Sequence, residues 1–123
     1  MKLLIVDDSA LIRNRIARLL VEGQLPASEI AGLARNGVEA LRVFREQRPQ
    51  LVTMDLTMPQ MDGIACIEAM MAIDPGVRIL VVSALADKAT AIQALKKGAQ
   101  GFLYKPFTDD ELALALAELA EVA

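Results

Sequence analysis

Five short apolar runs alternate along this chain with segments in which apolar residues recur three and four positions apart. The apolar runs cover residues 3–6, 30–34, 51–54, 77–82 and 101–104. Most of them lack the polar alternation of half-exposed strands, and such runs are typical of parallel strands buried on both faces. Helical spacing, as at Ile12, Ile16 and Leu19, indicates a helix in each connection. The pattern predicts an α/β fold of the (βα)5 type, a doubly wound five-stranded parallel sheet with helices on both faces.

Residue types that are rare or absent exclude several classes of function. The chain has no histidine, which excludes histidine acid–base catalysis, Ser-His-Asp triads and histidine metal sites. Cys66 is the single cysteine, so neither an internal disulfide nor a Cys-x-x-Cys site can form. The net charge of −3 argues against binding of nucleic acid or of an anionic membrane through bulk charge.

Length and hydropathy indicate one domain that does not enter a membrane. The 123 residues are 54% apolar, which is enough for a sizeable core. No apolar run reaches the ~18 residues of a membrane-spanning helix, and the amino terminus does not resemble a signal peptide. We therefore expect a cytoplasmic protein without membrane insertion. A Thr108-x-x-Glu111 capping box opens a last helix that runs to the end of the chain, so residues 1–123 are expected to be one domain with no output domain.

Polar residues follow four of the five apolar runs. Asp7 and Asp8 follow the first run, Asp55 the third, Ser83 the fourth and Lys105 the fifth. The carboxyl ends of parallel strands meet at one edge of a sheet, where ligands bind. Three clustered carboxylates repel one another unless they share a cation, and an all-oxygen set suits Mg²⁺, with Mn²⁺ as an alternative. The ammonium and the hydroxyl can bind phosphate oxygens, and a carboxylate can act as a nucleophile to form an aspartyl phosphate.

Five segments carry a resemblance to a known family. They are LLIVDDSALIR, NGVEAL, LVTMDLTMPQMDG, ILVVSA and KKGAQGFLYKPF. In this order and spacing, the chain resembles the receiver domain of two-component response regulators, the CheY-like family, over nearly its whole length. The resemblance implies a flavodoxin-like sheet with the strand order 2-1-3-4-5.

The resemblance also implies a role for each polar residue at the strand ends. Asp55 would be the phosphoacceptor. Asp8, Asp55 and the backbone carbonyl of Thr57 would bind Mg²⁺ directly, while Asp7 would act mainly through a metal-bound water. Lys105 would contact the phosphoryl group.

Further roles implied by the resemblance concern the switch. Ser83 would be the switch hydroxyl, Phe102 the rotating aromatic residue, and the peptide bond before Pro106 would be cis. Two residues depart from the commoner pattern, since the hydroxyl belongs to serine instead of threonine and the aromatic residue lacks the hydroxyl of tyrosine. Tyr104 is interpreted as an ordinary aromatic residue of the core or the sheet edge.

The lifetime of the phosphoryl group depends on two further positions. In the family, the residues two after the acceptor and two after the switch hydroxyl flank the approach of the hydrolytic water. Here they are Thr57 and Leu85. Neither has a carboxylate or carboxamide to orient the water. We therefore interpret both residues as hydrolysis-rate modulators and expect slow loss of phosphate.

The resulting functional prediction is a phosphorylation switch and not a conventional enzyme, although the domain would catalyse its own phosphorylation and dephosphorylation. A histidine kinase or histidine phosphotransfer protein would donate the phosphoryl group. A downstream protein target would bind the face formed by helix 4, strand 5 and helix 5, without direct nucleic-acid binding. From Pro106 onward there are five acidic residues and no basic one, so a monomer or a weak, activation-dependent dimer is expected.

Two alternatives remain open from the sequence. The chain could be the receiver fragment of a longer regulator of the methylesterase or DNA-binding type, and the segments DDSALIR and VVSAL resemble those of methylesterases. It could also be a small aspartyl-phosphate phosphohydrolase of the haloacid dehalogenase type. Those enzymes carry Asp-x-Asp after the first strand, whereas this chain has Asp-Asp-Ser.

Overall fold

All five strands that the apolar runs predict are present. The protein was analysed as a computed structural model that describes residues 1–22, 29–58, 61–84 and 88–121. Three of the strands differ from the predicted bounds by one residue at one or both ends, and the other two match them. The strands are β1 (Lys2–Val6), β2 (Glu29–Ala34), β3 (Leu51–Met54), β4 (Arg78–Ser83) and β5 (Gly101–Tyr104).

The helices alternate with the strands, and polar side chains cap several of them. Three amino-terminal caps are Ser9, Asn36 and Asp62, whose side-chain oxygens accept hydrogen bonds from backbone N–H groups of the first turn. Among the described residues no helix is long and apolar enough to cross a membrane. The helices are α1 (Ala10–Val21), α2 (Gly37–Gln47), α3 (Gly63–Ile73), α4 (Lys88–Lys97) and α5 (Asp109–Glu121).

Local geometry defines the start of α5 and the end of α4. Thr108 and Glu111 form the capping box of α5, because each side chain accepts a hydrogen bond from the backbone N–H of the other. At the end of α4, Gly98 has a φ of +124°, a conformation that side-chain-bearing residues rarely adopt. Helix α5 therefore begins where the sequence predicts, and Gly98 lets the chain turn after α4 into β5.

The strands form one parallel sheet in the order β2-β1-β3-β4-β5, as the resemblance implied. The register aligns the carboxyl ends of the central strands, since Val6 pairs with Met54 and Met54 pairs with Val81. Backbone hydrogen bonds continue past these ends, where Asp55 N donates to the carbonyl of Val6. The residues that follow β1 and β3 are thereby held side by side.

Apolar layers cover both faces of the sheet. One layer packs α2, α3 and α4 against the sheet and includes Phe44, Ile67 and Met70, and the other packs α1 and α5. Three leucines of α5, Leu112, Leu116 and Leu119, lie three and four positions apart and are buried in the second layer. Because both faces are covered, the edge at the carboxyl ends of the strands is where polar side chains can gather.

Candidate functional site

Three carboxylates converge where β1 and β3 end. One carboxylate oxygen from each of Asp7, Asp8 and Asp55 lies within 4.8 Å of the others. Asp7 and Asp55 are buried, whereas Asp8 is exposed at the mouth of the cluster. The structure therefore brings together the three acids that the sequence placed at two strand ends.

The ammonium group of Lys105 completes the cluster. Its Nζ donates a hydrogen bond to Asp7 Oδ2 at 2.7 Å and lies 3.7 Å from Asp55 Oδ2. Its backbone N–H donates to the carbonyl of Ser83, which extends the pairing of β4 and β5. The following peptide bond, to Pro106, is cis. Lys105 is thus held within reach of both buried carboxylates and is closer to Asp7.

The electrostatics of the pocket single out Asp55. Burial, followed by the charge of Asp7, raises the pKa of Asp55 from 3.8 to about 6. The charge of Lys105 and a hydrogen bond from the backbone N–H of Thr57 act in the opposite direction, and Asp8 adds a smaller increase. The ionised form of Asp55 is therefore costly to hold in this pocket, and a bound cation would relieve that cost.

The donor set fits a small hard cation. All three clustered side chains offer carboxylate oxygens, which Mg²⁺ prefers together with water. Thr57 lies beside them, with its backbone N–H 3.3 Å and its hydroxyl 3.4 Å from Asp55 Oδ1. Because Asp8 and Thr57 are both exposed, the pocket is open to solvent on that side.

The residues expected to form the switch lie on β4 and β5. Ser83 ends β4, is fully buried and pairs with Tyr104 of β5. Phe102 is partly buried against the layer formed by α2, α3 and α4, so it belongs to the core side of β5 and not to the acidic cluster. Tyr104 is 45% exposed, which places it at the sheet edge. Leu85, the other position expected to modulate hydrolysis, lies outside the described residues.

Comparison with known proteins decides the family. The profile of the response regulator receiver domain matches residues 3–117. The chain belongs to the receiver domain family. Chemotaxis protein CheY from Thermotoga maritima is 40% identical over 120 residues, which are 98% of this chain and 98% of that protein. The crystal structure of the CheX-CheY-BeF3-Mg complex from Borrelia burgdorferi matches with a TM-score of 0.92 at 28% identity, covering 99% of this chain and 90% of that chain.

Membership in this family defines the general role of the molecule. CheY-like receiver domains are signalling switches and not classical enzymes, and they bind Mg²⁺ at an acidic pocket. The chain is also 39% identical to a protein-glutamate methylesterase/protein-glutamine glutaminase from Carboxydothermus hydrogenoformans, over 98% of this chain but only 33% of that protein. The receiver fold is therefore shared with a longer regulator as well as with CheY.

Two residues that support the receiver pocket, one capping α1 and one within it, were not singled out in the sequence. Ser9 caps α1, and its backbone N–H donates to Asp7 Oδ1 at 2.9 Å. Arg13 donates to the backbone carbonyl of Asp7 at 2.6 Å. A serine directly before a helical pattern is a cap signal, so Ser9 could have been found, whereas no sequence signal marks the Arg13 contact.

Gly63 supports the pocket from the other side. A Cβ atom at this position would lie 2.4 Å from the carbonyl oxygen of Asp55 and 2.7 Å from the Cα of Leu56. The glycine therefore allows α3 to begin directly against the backbone that follows β3. It was quoted within the LVTMDLTMPQMDG segment, but its steric role could not be read from the sequence.

Proposed function

We propose that this receiver domain accepts a phosphoryl group on Asp55 and thereby switches its affinity for a downstream protein. The observation that carries the proposal is the position of the Asp55 carboxylate, which is 2% exposed, lies beside the acid pair after β1 and is 3.7 Å from the ammonium nitrogen of Lys105. A carboxylate that is buried, crowded by like charge and still reachable beside exposed Asp8 is suited to receive an electrophilic phosphorus.

The donor in this proposal is a phosphohistidine on a histidine kinase or a histidine phosphotransfer protein. This chain has no histidine and so cannot carry such a donor itself. An oxygen of Asp55 attacks phosphorus in line, the P–O bond forms as the P–N bond breaks, and the donor imidazole takes up a proton as it leaves. Donors of this kind present their phosphohistidine in the cytoplasm, which is where we expect the transfer.

The acidic pocket supplies the remaining parts of the transfer. Asp8, Asp55 and the backbone carbonyl of Thr57 would hold Mg²⁺, with Asp7 acting through a metal-bound water. The bound ion would supply positive charge against the phosphoryl oxygens. Lys105 is placed to contact the new phosphoryl group, because its Nζ is 3.7 Å from Asp55 Oδ2 and can exchange its bond to Asp7 for one to a phosphoryl oxygen.

The output is proposed to be a change in the surface formed by α4, β5 and α5. The phosphoryl group would draw the hydroxyl of Ser83 toward it, and Phe102 would move into the space that is vacated. Large apolar side chains are already exposed on these elements, which suits contact with a protein. They are Ile92, Leu95, Tyr104 and Leu114.

The similarity to a methylesterase leaves this site chemistry unchanged. If the receiver is joined to a further domain, as in the longer regulator, phosphorylation of Asp55 would act on that domain in place of a separate target. The choice affects only the output, because the pocket residues and the donor are common to both arrangements.

Replacement of the proposed acceptor tests the function directly. Asp55→Asn should abolish the acid-labile mass increase that acetyl phosphate and Mg²⁺ produce in the parent protein. The matched control is Asp110→Asn, since Asp110 is an exposed acid in the first turn of α5 and lies outside the pocket. Full labelling of a folded Asp55→Asn variant would contradict the assignment.

A further inference from the structure

An arginine of α1 clamps the loop that connects β5 to α5. Arg15 Nη2 donates to the backbone carbonyl of Phe107 at 2.7 Å, and Arg15 Nε donates to Asp109 Oδ1 at 2.9 Å. The guanidinium carbon also lies 4.4 Å from the centroid of the Phe107 ring. Hydrogen bonding, charge and stacking therefore converge on one side chain, which is only 29% exposed.

The clamped loop carries Lys105. Only Pro106 separates Lys105 from Phe107, and the proline ring fixes one backbone rotation between them. Phe107 is itself buried in the layer formed by α1 and α5. On the other side of Lys105, its backbone N–H is bonded to Ser83 of β4. The main chain at Lys105 is thus held by the sheet on one side and by Arg15, through Phe107, on the other.

The same helix is also attached to the acid pair. Helix α1 begins at its cap, Ser9, whose backbone N–H donates to the side chain of Asp7. Arg15 lies on that helix six positions after Ser9. Helix α1 therefore links the carboxylate of Asp7 to the loop that carries Lys105. The ammonium nitrogen of Lys105 lies 2.7 Å from Asp7 Oδ2.

We propose that Arg15 is a positioning residue that fixes the ammonium group of Lys105 in the phosphoryl-transfer pocket, an inference that rests on the proposed function of Lys105. The ion pair with Asp109 is not enough for this task, because Asp109 is 53% exposed and exposed pairs stabilise little. The planar guanidinium can bond the Phe107 carbonyl and stack on the ring at once, which lysine cannot do.

The first test compares two arginines of α1. Arg15→Met should lower the rate constant for phosphorylation by acetyl phosphate at saturating Mg²⁺ by about tenfold, since small misplacements of a catalytic group are costly. Arg18→Met is the control, because Arg18 is 62% exposed and approaches Glu22 at 3.9 Å, away from the pocket. That variant should keep the parent rate.

The second test reads the position of Lys105 without any phosphorylation. Labelling with an amine-reactive reagent, followed by mass spectrometry, should show Lys105 several-fold more reactive in Arg15→Met than in the parent. The exposed Lys88 and Lys96 should be unchanged and serve as internal references. A purely structural role for Arg15 would not change the reactivity of Lys105 selectively in a variant that remains folded.

The outcomes separate this inference from the proposed function. A folded Arg15→Met variant with the parent rate, or with reduced rate but parent labelling of Lys105, overturns the inference. If the parent protein takes up no phosphoryl group, the proposed function fails, and labelling of Lys105 still decides the role of Arg15. Should Arg15→Met not fold, Arg15→Lys replaces it, and the parent rate and labelling in that variant would overturn the inference.

Discussion

The ring of Tyr104 lies 4.8 Å from the ring of Phe102, measured between centroids, with the two planes tilted by 47°. Residues two apart on a strand point to the same face, so both rings lie on the α4 side of β5. Tyr104 is the single tyrosine, and the chain has no tryptophan. Its fluorescence is therefore a built-in reporter of the residue proposed to rotate.

We predict that beryllofluoride with Mg²⁺ changes the tyrosine fluorescence of the parent protein. Movement of Phe102 alters the surroundings of the Tyr104 ring, whereas Phe102→Leu leaves an aliphatic side chain in its place and should remove most of the change. Asp55→Asn should remove it completely, since the phosphoryl analogue would lose its anchor. A full fluorescence change in folded Phe102→Leu would show that this ring does not move.

The raised pKa of Asp55 predicts that, in the absence of metal, the free energy of unfolding depends on pH. Because the pKa is about 6 in the folded protein and 3.8 ordinarily, the folded state keeps a proton between these values that the unfolded chain has lost. The free energy of unfolding therefore falls as pH rises through this window. Water at the mouth of the pocket screens part of the effect. The ionised Asp55 therefore lowers the free energy of unfolding by about 2 kcal/mol above pH 6.

Asp55→Asn should recover that free energy, since the amide is neutral at every pH. Urea unfolding in EDTA should give equal stabilities for the variant and the parent below about pH 4 and a more stable variant at pH 7.5. Glu46→Gln, at an exposed position of α2, controls for the loss of one acid. A stability difference that is constant across pH would argue against burial of the Asp55 charge.

Mg²⁺ should raise the melting temperature because it relieves repulsion among the three carboxylates. At ten times the dissociation constant the gain is about 1.4 kcal/mol, which corresponds to roughly 3–6 °C for a domain of this size. Asp8→Ala should abolish the shift, while Asp110→Ala, outside the pocket, should keep it. An undiminished shift in Asp8→Ala would remove Asp8 from the proposed ligands.

The phosphoryl group is expected to decay slowly. The hydroxyl of Thr57 lies 3.4 Å from Asp55 Oδ1, and this side chain has no carboxamide to orient a water. Thr57→Asn combined with Leu85→Glu should speed phosphate loss from purified phosphoprotein by roughly 10- to 100-fold. Leu114→Glu, an exposed leucine of α5, serves as control. Equal decay of the double variant and the parent would exclude an effect of these side chains.

Sedimentation should detect a monomer, with at most weak dimerisation after beryllofluoride activation. Helix α5 carries acidic residues in its first turn and no basic residue between Asp109 and Glu121, so two copies of this helix repel when they meet. The arginine-containing salt-bridge dimer of many DNA-binding regulators therefore lacks its basic partner on α5. A tight dimer that charge substitutions on α4 and α5 dissociate would contradict this expectation.

Periodicity and strand-end position predicted most of the fold. Continuous apolar runs located the strands to within one residue, and the resemblance supplied the sheet order. Asp7, Asp55 and Lys105 were placed at strand ends because polar residues directly follow apolar runs, and parallel strands end at a common edge. Sequence patterns were sufficient to place residues that are neighbours in the chain or that directly follow a predicted strand.

Geometry between distant segments could not be predicted. The sequence does not show that Lys105 lies nearer to Asp7 than to Asp55, because that choice depends on differences of about one ångström in a three-dimensional arrangement. The contact of Arg15 with Phe107 joins residues 92 positions apart. The nearness of Phe102 and Tyr104, in contrast, follows from the two-residue repeat of a strand and was available in advance.

The bond between Asp7 and Lys105 spans 98 positions of the chain. Any segment that contains both residues is therefore nearly the whole domain, and a nascent chain on the ribosome lacks the complete pocket until β5 has been synthesised and docked beside β4. A product truncated before β5, or cleaved and separated within the chain, lacks the ammonium group and cannot mimic the finished site. Incomplete molecules are therefore expected to be inactive and to produce no false signal.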